Sequence, residues 1–404
     1  MKYIVVLGDG MADWKIASLG NKTCLEAADT KTLNKLAPHS EVGLCKTVPD
    51  GMKPGSDVAN MSVLGFNPKN FYTGRSPLEA VSMGINLSDT DVTLRCNLVT
   101  LSDEENYEER TMVDYSAGEI STTEAAELIN FLKKHLDSEK FTLYSGISYR
   151  HCLVAANGAT GHDLTPPHDI SDKKITAYLP KGECGGVYLE MMKKSAELLK
   201  NHPVNLKRVA EGKKPANSVW LWGEGTKPAL SPFEKERGLK GGIISAVDLV
   251  KGIGLLADME IIEVAGATGN YDTDFKGKAE AAASALIGGL DFVYIHMEAP
   301  DECGHHGDAA HKIYSIEQID SVVIPTLIEK LKAAGEDFAM LVTPDHPTPC
   351  ACKTHVSEPV PYLIYTNVND LGNGAERYTE GEAAKTGQYV ADGYKLIERL
   401  ISVK

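Results

Sequence analysis

Four short apolar runs rich in β-branched residues punctuate the chain: Lys2–Gly8, residues 291–297 (DFVYIHM), Phe338–Thr343 and residues 360–365 (VPYLIY). Each has the length and composition of a buried strand. The first runs into Gly8-Asp9-Gly10, a loop signature. Helical periodicity fills the gaps. Ile313, Ile316, Ile319, Val323, Leu327, Ile328 and Leu331 set one apolar stripe along a helix of about five turns. Pro325 interrupts it and predicts a kink or a division, because proline has no amide proton to donate. Residues 279–287 read as a second, alanine-rich helix. Strands alternating with helices predict an α/β fold with a mostly parallel sheet covered on both faces.

The pattern changes in the middle. Residues 102–111 are charged and polar, Thr122–Leu136 is helical, 155–172 is rich in Gly, Pro and His, and 173–199 adds a strand-like piece and a helix. This predicts a smaller inserted domain over 89–227, with the main domain built from 1–88 and 228–404. Two sequential domains are the alternative. Internal repeats and low-complexity tracts are not evident.

Composition narrows the picture. A chain of 404 residues suggests two or three domains, and 43% hydrophobic with 24% charged residues permits a large core. The formal net charge of −15 repels a phosphate backbone, so nucleic acid is not an expected partner. A small anionic substrate would need local cations instead. No apolar run reaches the length of a membrane span, and MKYIVVLGDG does not read as a signal peptide. Eight scattered cysteines do not resemble a disulfide framework. The expectation is a cytoplasmic enzyme with no membrane partner, its oligomeric state left open.

The chemistry-bearing residues concentrate late in the chain. Six of the twelve histidines lie between His296 and His355. Asp301 and His305 are four apart, on one side of a helical turn. Asp345-His346 follows directly after the strand Phe338–Thr343, His355 comes nine residues later, and Asp9 ends the first strand. Most of these fall at the carboxyl ends of predicted strands, the edge where open parallel sheets bind ligands. Asp and His together suit Mn²⁺, Zn²⁺ or Mg²⁺. Five or six such donors exceed one tetrahedral ion, which points to two. Ser56, after Pro54-Gly55 and before a helical stretch over 57–64, reads either as an ordinary N-cap or as a nucleophile presented with a helix start to a phosphate. Arg75 and the Tyr149-Arg150-His151 segment are candidate anion ligands, and each arginine also has an ordinary ion-pair reading. Arg95 has a structural one.

Together these residues resemble the alkaline phosphatase superfamily and, within it, the archaeal-type cofactor-independent phosphoglycerate mutases. Met-x-x-Gly-Ser-Asp-Val-Ala-Asn (52–60) is similar to the nucleophile turn. Asp301-x-x-x-His305-x-Gly-Asp308, with Glu317-x-x-Asp320, is similar to the metal segment. Thr343-Pro-Asp345-His346-x-Thr-Pro, then His355 and Pro359-Val-Pro361, resembles a third motif, and Val264-x-Gly266-Ala-Thr-Gly269, Thr273-Asp274 and Lys278 also fit. The resemblance spans nearly the whole chain.

It implies an alkaline-phosphatase-like α/β parallel-sheet sandwich with an inserted smaller α+β cap domain, and an active site in the cleft between them. One metal would be held by Asp301, His305 and His355, the other by Asp9, Asp345 and His346, with Ser56 between. Manganese is the first expectation, zinc or magnesium the alternatives, and 2,3-bisphosphoglycerate is not required. Ser56 would take the phosphoryl group of 3-phosphoglycerate and return it to the other hydroxyl of trapped glycerate. Arg75, Arg150 and His151 would hold this small phosphorylated substrate. One departure stands out: Trp222, in Trp220-Leu-Trp222-Gly223-Glu224-Gly225, occupies a place where the mutase pattern resembles Arg. That segment looks more like a branch proposed as homoserine kinase, which shares nucleophile, metals and fold. A simple phosphatase and a non-catalytic phosphate-ligand binder are the remaining alternatives.

Overall fold

A computed structural model describes residues 1–403. The chain divides into two compact units, one made of residues 1–72 and 230–404 and the other of 73–229. The main unit is organised by the four apolar runs. Among the described residues its sheet has eight strands. From edge to edge these are Tyr389–Val390, Glu41–Cys45, Val360–Thr366, Phe338–Thr343, Lys2–Gly8, Phe292–Met297, Gly241–Ile244 and Glu260–Ile261. Lys2–Gly8 lies between Phe292–Met297 and Phe338–Thr343 and is parallel to both. Gly241–Ile244 continues in parallel beside Phe292–Met297.

Val360–Thr366 is the antiparallel exception among the described strands of this mostly parallel sheet. It pairs antiparallel with Phe338–Thr343, Val342 lying opposite Leu363. The sixteen residues from 344 to 359 therefore leave and re-enter the sheet at one edge, so His355, which precedes its strand, meets His346, which follows one. Both faces of the sheet are covered, which is why its strands are continuous apolar runs rather than alternating ones. One core joins Ile4, Val6, Val293, Ile295, Met340 and Val342 to Ala279, Ala282 and Leu286 of the helix Phe275–Ile287.

The long apolar stripe is buried as its period requires, through Ile316, Ile319, Val323, Leu327 and Leu331. It is split as Pro325 requires. Ala309–Gln318 and Ile324–Ala333 are α-helical, and Ile319–Val323 between them is a π-turn. Proline at 325 removes a donor and crowds the carbonyl four residues back, which the wider turn accommodates. That turn carries Asp320, whose carboxylate accepts from the amides of Leu33 (2.7 Å) and Thr32 (3.0 Å) at the start of Lys31–Leu36.

The second unit is an antiparallel sheet centred on the ten-residue strand Val92–Leu101. That strand pairs with Ser218–Thr226, Arg150–Ala155 and Met112–Asp114, and Phe141–Tyr144 extends the sheet beyond Arg150–Ala155. The helices Thr122–Leu136 and Gly185–Leu199 bury Leu128, Ile129, Leu132, Tyr188 and Met192 in a core with Leu94, Cys96, Leu98, Leu153 and Trp220. The sequence placed the boundary at 88/89, but residues 73–88 pack with this unit. Ala80, Ile85 and Leu87 around the helix Ser76–Ser82 lie against Cys152 and Val154. Their apolar side chains have the outer face of Arg150–Ala155 to cover, which the sequence alone did not disclose.

No helix among the described residues is long and apolar enough to cross a membrane.

Candidate active site

The site in the main unit grows from strand ends. Asp9 follows Lys2–Gly8 directly and is 1% exposed. Gly10 beside it has φ +62° and donates its amide to Asp345 Oδ1 at 3.1 Å. A Cβ there would lie 2.6 Å from both Asp301 Oδ1 and Thr348 Oγ1, so the Asp9 turn requires glycine for conformation and for space. Asp345 and His346 follow Phe338–Thr343 and are fully buried. Asp301 sits in the first turn of Ala299–His306 and His305 in its last. The i, i+4 spacing brings His305 Nε2 to 3.3 Å from Asp301 Oδ2, as the sequence predicts.

Two donor groups result, and they share a member. Donor atoms of Asp9, Asp345 and His346 lie within 4.8 Å of one another, and so do those of Asp301, His346 and His355. His346 Nε2 is 3.2 Å from Asp345 Oδ2 and 3.6 Å from Asp9 Oδ1. His355 Nε2 is 3.4 Å from Asp301 Oδ1 and 2.9 Å from His305 Nε2. The family resemblance implies His346 in one group alone; in the structure it stands between the two. Ser56 opens the helix Ser56–Val63, and its Oγ is 3.1 Å from His346 Nε2. All seven residues expected at the metal and nucleophile positions thus meet in one place.

The electrostatics of this cage suit cations. Burial, with the negative charges of Asp345 and Asp301 close by, pushes the Asp9 carboxyl well above its ordinary range. Its Oδ1 is buried without a hydrogen-bond partner. Burial also opposes ionisation of Asp301, yet hydrogen bonds from His305 and His355 prevail and hold it well below the usual range. The Asp301 hydrogen bond raises His305 to about 9, whereas burial lowers His346. Three carboxylates and three imidazoles, with an orphaned carboxylate oxygen and two ring nitrogens facing each other, form a donor set that divalent ions fit.

Several supporting residues escaped the sequence. His296 Nε2 holds Asp9 Oδ2 at 2.8 Å and is itself oriented by Ser245 Oγ at 3.2 Å. Asn60 Nδ2 donates to Asp345 Oδ2 and to the Ser56 carbonyl, each at 2.9 Å, while Tyr294 donates its hydroxyl proton to Asn60 Oδ1 at 2.6 Å. Thr348 bonds both Asp301 Oδ1 and, at 3.2 Å, His346 Nδ1. Such partners fix ring orientation and tautomer. The signal for Asn60 was present, one helical turn from Ser56; His296 resembled an ordinary strand residue.

The inserted unit holds a separate cationic cluster. Arg75 Nε and Arg95 Nε contact the two oxygens of Glu79 at 2.8 and 2.9 Å. Burial would raise the Glu79 carboxyl, but Arg95 and Arg75, with Arg150 nearby, hold it below the usual range. The guanidinium of Arg95 lies 4.3 Å from the Trp222 ring centroid, and Trp222 Nε1 donates to Asn97 Oδ1 at 3.0 Å. Trp222 therefore does not leave its surroundings without a cation; it braces one. His151 is not part of this cluster. It lies opposite Cys96 on Val92–Leu101, whereas Arg150 lies opposite Asn97. Side chains alternate along a strand, so the two point to opposite faces. His151 is 4% exposed, its Nδ1 accepts the Gly146 amide at 3.0 Å, and burial lowers it to about 3. Its other ring nitrogen, Nε2, is buried without a hydrogen-bond partner.

Known proteins share this architecture. The family model for 2,3-bisphosphoglycerate-independent phosphoglycerate mutase matches residues 37–205. A curated protein of that name from Methanosarcina barkeri is 47% identical over 405 aligned residues, covering all of both chains. One from Methanothrix thermoacetophila is 44% identical, again over all of both. A solved structure of a Pyrococcus horikoshii protein superposes with a TM-score of 0.82 at 27% identity, over 99% of this chain and 96% of that one. The structure of a cofactor-independent phosphoglycerate mutase from Thermoplasma acidophilum gives 0.66 at 26% identity over all of both chains. Identity at this level along the entire length places the chain in the 2,3-bisphosphoglycerate-independent phosphoglycerate mutase family.

Proposed function

We propose that the protein interconverts 3-phosphoglycerate and 2-phosphoglycerate through a phosphoserine on Ser56, without 2,3-bisphosphoglycerate. The observation that carries this reading is the placement of Ser56 Oγ at a helix start, 3.1 Å from His346, the residue common to both donor groups. Asp9, Asp345 and His346 would hold one divalent cation and Asp301, His305 and His355 the other, manganese being the first choice. When bound, such ions supply positive charge that lowers the pKa of the serine hydroxyl and offsets charge on the transferring oxygens.

The chain's own residues do the remainder. Ser56 attacks phosphorus in line, the glycerate oxygen leaves, and the phosphoserine forms at the amino end of Ser56–Val63, where the helix dipole favours an anion. The reverse attack by the other glycerate hydroxyl completes the transfer. Water must stay out, because it would hydrolyse the phosphoserine. Asn60 holds the first turn of the helix and Asp345 together, which fixes Ser56 relative to the donors. Arg75, Arg95 and Arg150 recognise the substrate's anionic groups. Losing one bidentate contact of this kind costs about 1.5–3 kcal/mol. Arg150→Met should therefore raise KM for 3-phosphoglycerate by roughly tenfold or more with thermal stability unchanged, as steady-state kinetics and melting curves would report.

Metal binding should strengthen with pH. In the metal-free protein His305 titrates at about 9, so at neutral pH a cation must displace its proton. Below that value, one displaced proton corresponds to about tenfold tighter binding per pH unit. Calorimetric titration with Mn²⁺ at pH 6.5 and 7.5 would measure this; equal affinities would contradict His305 as a ligand.

The decisive comparison uses manganese-loaded protein with 3-phosphoglycerate alone and with homoserine plus ATP. Phosphorus NMR should show 2-phosphoglycerate without any added donor. ATP-dependent phosphorylation of homoserine without mutase turnover would overturn the proposal, and net phosphate release at the same rate would make the protein a phosphatase.

A further inference from the structure

Behind the cage lies a cluster that the proposed reaction does not use. Cys24 opens the short helix Cys24–Ala27, and Cys350 follows Thr348 in the segment that carries His346 and His355. Donor atoms of Cys24, Cys350 and Asp13 lie within 4.8 Å of one another. The Cys24 thiol donates to Asp13 Oδ2 at 3.4 Å, and the Cys350 amide reaches both Asp13 oxygens at 3.3 Å.

Two thiols and a carboxylate could suggest a third metal site, but the cation position is already filled. Lys312 Nζ is 2.8 Å from Asp13 Oδ2, with both side chains fully buried. It also donates to the carbonyls of Thr348 at 2.8 Å and Ala12 at 3.2 Å. These three bonds use all three ammonium protons. A divalent ion placed among the thiols would face this fixed charge. What remains is a thiol pair beside a permanent cation, the setting that favours a thiolate.

We propose that Cys24 and Cys350 are a redox pair, closing to a reversible disulfide under peroxide and slowing the enzyme when closed. Cys350 is 9% exposed and Cys24 not at all, so an oxidant meets Cys350 first. Close contact with Cys24 holds the Cys350 thiol below its usual range, helped by Lys312, whereas that contact and burial push Cys24 up. Cys350 thus attacks and Cys24 resolves. The Cys350 thiolate breaks the O–O bond of hydrogen peroxide, becoming a sulfenic acid and releasing hydroxide. The Cys24 sulfur then displaces the sulfenic oxygen. Its proton leaves with that oxygen as water, and the sulfur–sulfur bond forms. In total two thiols and one peroxide give one disulfide and two waters. A dithiol reductant reverses it by exchange.

Closure draws the sulfurs from their present separation to about 2.05 Å and removes the Cys24–Asp13 bond. The strain falls on a segment in which Thr348, two residues from Cys350, bonds both Asp301 and His346.

The cross-link can be tested without assuming any reaction. The intact manganese-loaded protein is treated with hydrogen peroxide, alkylated, digested and analysed by mass spectrometry. The expected product is a Cys24–Cys350 peptide pair two hydrogens lighter than the separate thiols, lost on adding dithiothreitol. Both cysteines remaining alkylatable, or Cys350 joined instead to Cys303 or Cys352, would overturn the pairing. The effect on rate rests on the proposed mutase activity and is read separately. Oxidation should lower turnover about tenfold or more, with recovery on reduction; a cross-linked enzyme of unchanged rate would overturn the switching role. Cys24→Ser should keep its activity through peroxide treatment and accumulate sulfenic acid at Cys350, trapped by dimedone. Cys24→Ala serves the same purpose if the serine variant folds poorly.

Discussion

Ser56→Ala should lower mutase turnover by roughly four orders of magnitude or more, the scale on which enzymes lose rate when a covalent nucleophile is removed. The change deletes one oxygen and little else. Ser56 is the first residue of a helix buried along its whole length from Ser56 to Val63, so the surrounding packing holds the backbone in place. The hydroxyl's contact is with His346, while Asp345 is held independently by Asn60 and Gly10. Manganese binding should therefore persist within about threefold, because the carboxylate and imidazole donors remain. The wild-type enzyme, quenched in acid during turnover of labelled 3-phosphoglycerate, should carry label on the peptide containing Ser56, and the variant should carry none. Turnover above one part in a hundred of wild type would remove Ser56 from the role of phosphoryl carrier.

Lys312→Met should be strongly destabilising although it lies outside the donor cage. Lys312 and Asp13 are both completely buried and 2.8 Å apart. Removing one partner of such a pair leaves the other charged without compensation, which costs about 3–5 kcal/mol. Here the loss also strips the donor from the carbonyls of Thr348 and Ala12. The double variant Asp13→Asn with Lys312→Met removes both charges and should recover a substantial part of the stability, the pattern of strong coupling between neighbours. Urea denaturation of the wild type, both single variants and the double variant closes the cycle. A double variant as unstable as the sum of the two singles would mean that the pair does not act as a pair.

The main sheet and its catalytic edge were legible because local pattern and global fold agree there. A buried strand followed by Gly-Asp-Gly, another followed by Pro-Asp-His, and a helical Asp-x-x-x-His each announce their geometry within a few residues. What was hidden depends on distant partners. Val360–Thr366 reads the same whether it runs parallel or antiparallel, since its burial on both faces fixes composition and not direction. His296 lies within a strand, and nothing nearby in sequence says that Asp9 waits across the ladder, although Leu7 is its paired neighbour. The packing of residues 73–88 against Cys152 and Val154 was hidden because an apolar helix does not name the sheet it covers. That Arg150 and His151 part company was also hidden: a strand alternates, and Arg150 took the open face while His151 is buried.

The reversed direction of Val360–Thr366 has one more result. Both feet of the 344–359 segment are hydrogen-bonded into adjacent rungs, with Thr343 Oγ1 reaching the Pro361 carbonyl at 3.2 Å. The segment is a staple rather than a crossover, and its span sets the gap between His346 and His355. Lengthening or shortening it by a single residue would move one imidazole against the other, so this stretch should tolerate exchange of side chains far better than any change in its count.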